Sequence, residues 1–142
     1  MLYFDTSALF PYYRPEACSN KVQKLLRDPK TRVCISPLVE VEFASVLSRL
    51  RRMKELDEAS ALAIQAALEE DAANGCFERA LVSLESFHLA REWLLSRKSA
   101  LRTLDALHLA AASLANAKLV TADETLMKAA QRFGIPSMLI RA

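Results

Sequence analysis

The stretch "LYFDTSALF", residues 2–10, sets the reading of this chain. Leu2, Tyr3 and Phe4 have the character of a short buried strand. Asp5, Thr6 and Ser7 then interrupt it, before the chain turns apolar again at Ala8, Leu9 and Phe10. A carboxylate at the end of a buried strand has two readings at this point. It caps a following helix by accepting backbone N–H groups, or it points into the crevice that lies beyond strand ends in open α/β sheets.

Working outward, four more short apolar runs follow: "RVCIS" at 32–36, "ALVSL" at 80–84, "KLVTA" at 118–122 and "SMLI" at 137–140. Between them lie longer patterns of helical period, at about 17–27, 37–54, 57–74, 85–98, 103–116 and 124–133. The alternation predicts an α/β domain with a mainly parallel central sheet of about five strands, flanked by helices on both faces and joined by right-handed crossovers. Gly134 stands where the last helix should stop, and Pro136 where the last strand should start. The apolar run in "ERALVSLE" is also compatible with a helix.

The 142 residues are enough for one domain with a sizeable core, spanning 1–142. With 52% hydrophobic and 25% charged residues, the chain has the composition of a globular protein. A net charge of +2 neither requires nor excludes a nucleic-acid partner, so local clustering must decide. Three widely spaced cysteines, Cys18, Cys34 and Cys76, make neither a disulfide framework nor a zinc motif, which favours a reducing compartment. No secretory signal pattern and no run of about 18 apolar residues is visible, so the expectation is a cytoplasmic protein without membrane contact. Only two glycines occur, which removes the P-loop and dinucleotide-binding readings.

Four acids stand out by position. Asp5 and Asp123 follow the first and fourth apolar runs. Glu42, in "PLVEVEFASVLSRLRRM", falls at the edge of the helix face carrying Leu38, Val39, Val46, Leu50 and Met53. Glu40 falls on the opposite side, near Arg51, as an ordinary solvated acid. Asp105, in "LRTLDALHLAAASLA", sits in a helix that is apolar nearly all round, projecting among Leu101, Leu109 and Ala112. A buried carboxylate needs a partner or a cation. Each acid also has a local reading: Asp5 as a cap, Asp123 as a first-turn acid after a Thr121–Glu124 capping box, Asp105 as a first-turn acid after a Thr103 cap, and Glu42 reaching to the rim. Taken together they argue for more. Carboxylates about 4 Å apart at a surface-like dielectric repel by about 4 kcal/mol per pair, so a cluster of four calls for protons or cations. Hard oxygen donors without His or Cys suit Mg²⁺ or Mn²⁺, ions that activate water and clamp phosphoryl oxygens.

These segments resemble the PIN-domain family, and within it the VapC-like ribonuclease toxins of toxin–antitoxin pairs. The likeness runs from "YFDTSALF" to "TADETLMKAAQRFGIPSML". "LRTLDALHLAAA" is its most specific part, "ISPLVEVEF" matches the second motif and "LVTADETL" the last. The resemblance implies Asp5, Glu42, Asp105 and Asp123 as catalytic residues and metal ligands. It implies Thr6 and Ser7 as accompanying hydroxyls, and Thr121 beside them. All four acidic places are filled. It further implies an acidic pocket holding Mg²⁺ or Mn²⁺, metal-dependent cleavage of RNA phosphodiesters, frequent homodimers and a small antitoxin that blocks the pocket.

Arg49, Arg52 and Arg102 flank the helices carrying Glu42 and Asp105 and are candidates to hold RNA phosphates; the alternative is solvated surface. His108, three residues past Asp105, reads as a core histidine, with contact to the Asp105 carboxylate as the alternative. His88 and Trp93 belong to a helix packing on the sheet. Tyr12 and Tyr13 read as packing residues rather than base-stacking platforms. An aspartyl phosphatase would want a second Asp where Ser7 stands, and a phospho-receiver would want an early acid pair. A non-catalytic binding module on the same fold, or a housekeeping nuclease, remains the competing reading.

Overall fold

Residues that alternate between two buried faces make the sheet. The computed structural model describes residues 1–15 and 19–141. Five strands form one sheet: β1 (Leu2–Phe4), β2 (Val33–Ile35), β3 (Glu78–Arg79), β4 (Lys118–Thr121) and β5 (Ser137–Leu139). Their order is β3-β2-β1-β4-β5, and every pairing is parallel. Tyr3 lies in register with Cys34 and Leu119, and all three point into one core. Phe4, Val33, Ile35 and Val120 point into the other. The strand period of two thus divides the hydrophobic interior into two layers.

Among the described residues seven helices cover the two faces: α1 (Thr6–Tyr13), α2 (Ser19–Arg27), α3 (Pro37–Arg52), α4 (Glu58–Ala73), α5 (Leu84–Ser96), α6 (Thr103–Leu114) and α7 (Glu124–Arg132). The α3 helix packs Val39, Phe43, Leu47 and Leu50 into the Phe4 layer, where Leu68 of α4 joins them. The α6 helix buries Ala106 through Ala112, including His108, consistent with an all-round apolar segment. Trp93 of α5 stacks on Phe133, with ring centroids 5.3 Å apart.

The predicted class holds, and three local readings change. First, α1 was absent from the predicted helices. It is eight residues long with Pro11 in its interior, which removes a helical N–H, so local propensity argued against it. Tyr12 and Tyr13 are half-buried: Tyr13 packs edge-on to Phe43 and donates to Asp71 at 2.7 Å, tying α1 to α4. Second, the predicted strand at 80–84 is not one. Glu78 and Arg79 pair with β2, and Ala80 N–H donates to Ile35 C=O at 2.9 Å; Leu81 and Leu84 are exposed, and Ser83 already caps α5. The edge forms where charges anchor it, Glu78 to Arg32 at 2.6 and 2.8 Å and Arg79 to Glu40. Charged residues of this kind protect an exposed edge from further pairing. Third, Glu40 pairs with Arg79 rather than lying near Arg51, which pairs with Glu58 at 3.0 Å. The predicted helix start at residues 17 and 18 lies outside the described residues.

At Gly134 the expected helix stop is present. Its φ is +70°, Ile135 N–H donates to Ala130 C=O at 2.8 Å, and Gly134 N–H donates to Gln131 C=O at 3.2 Å. This double bond to the last turn closes α7 and redirects the chain into β5.

Candidate functional site

The chain steps outward from β1 to β2 and β3, then returns to the other side of β1 with β4. The order therefore reverses between β1 and β4, and a crevice opens at their carboxyl ends. Asp5 follows β1 and Asp123 follows the β4 region. The α3 helix leaves the same end of β2, so Glu42 in its second turn belongs to that end. The α6 helix runs back into β4, so its first turn, with Asp105, also lies there.

Asp5 is buried, 5% exposed. It is the N-cap of α1: Oδ1 accepts from Ala8 N at 3.0 Å and Ser7 Oγ at 2.7 Å, and Oδ2 accepts from Thr121 Oγ1 at 2.6 Å. Burial pushes its carboxyl above the usual range; the Thr121 hydrogen bond, His108 and the Ser7 and Ala8 bonds oppose this. Thr6 donates to Glu42 Oε1 at 2.9 Å. Thr121 also accepts from Asp123 N–H at 3.0 Å, so the three predicted hydroxyl residues all bind the acids or their backbone.

Asp123 is itself the N-cap of α7, accepting from Thr125 N at 2.7 Å and Leu126 N at 3.1 Å. This corrects the Thr121–Glu124 capping box, because Thr121 is committed to Asp5. Likewise Arg102, not Thr103, stands at the cap position of α6, and Asp105 is third in the helix. Among the described residues no hydrogen bond or ion pair reaches the Asp105 carboxylate, although it is half-buried. Desolvation raises its carboxyl above the usual range, and the charge of Asp123 adds to this. His108 and Arg102 pull it down, and Glu42 pushes it up again. The Asp105 carboxylate therefore feels the fields of both Asp123 and Glu42.

Glu42 is the best-supported acid. Desolvation pushes its carboxyl up, but the hydrogen bond and charge of His108, with the Thr6 bond, outweigh it and hold the group below the usual range. His108 is thus the core histidine expected, 2% exposed, but its carboxylate partner is Glu42 rather than Asp105. The histidine's other ring nitrogen meets Tyr3 Oη, a group the sequence reading passed over. A tyrosine inside a strand this short and this buried was the available signal, since its hydroxyl must find a partner.

Beside Glu42 lies a crevice of about 630 Å³, walled by Phe10, Pro11, Val46, Leu50 and Leu104, with Thr6, Ser7 and Ser45 as polar contacts. Arg49 lines it, and so does Arg14, which no sequence pattern singled out. Arg52 instead donates to Ser48 at 2.8 Å on exposed surface. Arg102 is exposed at the start of α6, close enough to act on Asp105.

The donor set is all oxygen, with an unpartnered Asp105 and a Glu42 whose Oε2 receives no hydrogen bond among the described residues. That chemistry fits a hard divalent cation. Among the described residues, however, no three acid, His or Cys side chains are gathered closely enough to hold an ion as they stand. Asp5 and Asp123 each turn one oxygen toward helix N–H groups.

A parallel α/β domain with acids at its switch point defines the class. The PIN domain family model matches residues 2–132, and the chain belongs to that family. Solved structures show the same fold. VapBC2 from Rickettsia felis, bound to a DNA fragment from its promoter, is 18% identical with a TM-score of 0.68, covering 99% of this chain and 100% of that one. FitAcB from Neisseria gonorrhoeae is 16% identical with a TM-score of 0.68, covering 97% and 96%. Mycobacterium tuberculosis VapC20, a toxin that cleaves the sarcin–ricin loop, is 18% identical with a TM-score of 0.68, covering 91% and 95%. No curated protein matches the sequence.

Proposed function

We propose that this protein is a Mg²⁺- or Mn²⁺-dependent endoribonuclease and the toxin of a toxin–antitoxin pair. The observation that carries the reading is Asp105: a half-buried carboxylate without a hydrogen-bond partner among the described residues, in the field of Asp123 and Glu42, in a PIN-family chain. Asp5, Glu42, Asp105 and Asp123 would hold the metal, which supplies an activated water and neutralises charge on the scissile phosphate. Thr6, Ser7 and Thr121 orient the acids by the hydrogen bonds described. Arg49 and Arg14 sit where an RNA strand in the crevice would place phosphates. A small antitoxin is the expected partner, supported by the toxin–antitoxin complexes among the similar folds. A homodimer is supported by the exposed Leu81, Leu84, Phe87 and Leu95. Among the described residues no helix is long and apolar enough to cross a membrane. A cytoplasmic location, where an RNA target would be met, belongs to the same proposal.

The test is cleavage of a labelled RNA by purified protein with Mn²⁺, with Mg²⁺ or with EDTA, beside an Asp105→Asn variant. Loss of cleavage of at least a hundredfold in EDTA and in the variant, with the fold retained, is expected. Full cleavage in EDTA would defeat the mechanism. A second reading, a non-catalytic binding module, is favoured by one feature: Asp5 and Asp123 are already engaged as helix caps. RNA binding without cleavage under any metal would select it.

A further inference from the structure

We propose that Tyr3 and His108 are positioning residues that hold Glu42 in one rotamer, grasping it by Oε1 and leaving Oε2 free at the crevice. The value of this to the reaction rests on the metal reading above; the positioning itself does not.

The three residues behind Glu42 are all buried: Tyr3 is 0% exposed, Ser36 1% and His108 2%. Polar atoms at such sites must pair with one another. Ser36 Oγ lies 2.8 Å from Tyr3 Oη, and Tyr3 Oη lies 2.6 Å from His108 Nδ1. His108 Nε2 bonds Glu42 Oε1, which also accepts from Thr6 at 2.9 Å. Donor bookkeeping gives the chain a direction. An ionised carboxylate only accepts, so Nε2 carries the proton. When the ring is neutral, its Nδ1 lone pair accepts from the Tyr3 hydroxyl and the tyrosine oxygen accepts from Ser36; when the ring is charged, Nδ1–H donates to Tyr3 and the tyrosine hydroxyl donates to Ser36. With a neutral ring Ser36 only donates, Tyr3 and His108 each donate once and accept once, and the carboxylate only accepts.

Geometry makes this a clamp rather than a local bond. Tyr3 lies on the central strand, His108 on α6 and Glu42 on α3, so one imidazole joins two helices across the sheet. Thr6 adds a third element, α1, on the same oxygen. With Oε1 saturated from two sides, rotation of the carboxylate would break two hydrogen bonds. Among the described residues Oε2 receives no hydrogen bond, and it is not sealed from solvent. It is the oxygen left to meet a cation.

Two readouts test this on the full-length protein. Nitrogen-15 NMR of the imidazole should show Nε2 protonated in the wild type. Relaxation of the Glu42 Cγ should report an ordered side chain. Tyr3→Phe and His108→Leu should each let the Glu42 side chain average over rotamers, with melting curves confirming a folded chain. His108→Gln, which retains an N–H toward Glu42, should restore order. In Mn²⁺ titrations followed by electron paramagnetic resonance, His108→Leu should bind roughly tenfold to a hundredfold more weakly, and His108→Gln should recover most of the loss. An ordered Glu42 in both Tyr3→Phe and His108→Leu would overturn the proposal. If His108→Leu does not fold, Tyr3→Phe decides alone. If wild type binds no Mn²⁺ while Glu42 still loosens in the variants, the metal reading fails and the positioning stands.

Discussion

Asp105 shows what one carboxylate does to a fold. Desolvation, then the field of Asp123, raises its folded pKa above the ordinary 3.8. The folded chain therefore binds this proton more tightly than the unfolded chain does. Between 3.8 and the raised value, stability falls as pH rises, and above that window the full penalty persists. Replacement by Asn removes the penalty. In EDTA, Asp105→Asn should melt at a higher temperature than wild type near pH 7, and the gap should close as the pH falls toward about 3.5. Scanning calorimetry at the two pH values checks this; a variant that melts lower at neutral pH would show that Asp105 is stabilising where it stands. Glu42 has the opposite sign. With its carboxyl held below the usual 4.5, its contribution is present above that value and is lost as pH falls through the folded one. The two acids thus differ because Glu42 has a histidine and a threonine at its oxygen and, among the described residues, Asp105 has no such partner.

Helix ends dominate at the scale of the element. The α7 helix ends on Gly134, and α3 ends in the same way on Lys54, with φ of 58° and bonds from Lys54 N–H to Arg51 C=O and from Glu55 N–H to Leu50 C=O. A left-handed residue costs a side-chain-bearing residue about 1–2 kcal/mol, partly offset by the lower unfolded-state entropy of a non-glycine. A Cβ at Gly134 would meet nothing within 4 Å, so backbone strain alone sets the effect there. Gly134→Ala should cost about 1 kcal/mol, and Lys54→Gly should stabilise by a similar amount. Urea midpoints with unchanged slopes would confirm both; equal midpoints would mean these turns relax freely. The stop at Gly134 was legible because glycine is the residue such turns favour. The stop at Lys54 was not, since nothing in a lysine announces a positive φ.

Over the whole molecule, nineteen basic and seventeen acidic residues leave a net charge of +2, too little to gather RNA by a global field. On the proposed ribonuclease reading, RNA binding would rest on local cations near the crevice. Arg49 lines it and Arg102 stands at the head of the Asp105 helix. Reversing both charges should weaken RNA binding and flatten its salt dependence, by about 1.4 in the log–log slope if two phosphate contacts are lost. Fluorescence anisotropy against salt, with the metal replaced by Ca²⁺ to suppress cleavage, measures the slope. An unchanged slope and affinity would assign these arginines to solvated surface and move the search to Arg14.

Local chemistry read along the chain settled the fold class and where the acids fall. Strands of period two, apolar helices, a glycine stop and an acid after a strand each depend on neighbours within a few residues. The parallel five-stranded sheet follows from that grammar, and α1, α3, α6 and α7 all start at the end of it where these acids stand, though no three of the acids are gathered as a metal-binding group among the described residues. Tertiary structure decided the rest. The edge strand formed at Glu78 and Arg79 rather than in the apolar run, because Arg32 and Glu40, distant in sequence, supply the anchoring charges. Glu42 found His108 across 66 positions, and His108 found Tyr3 across 105. Those pairings answer to burial: a polar atom withdrawn from water must take whatever partner the packed layers bring to it, and that partner is chosen by the folded chain rather than by spacing along it.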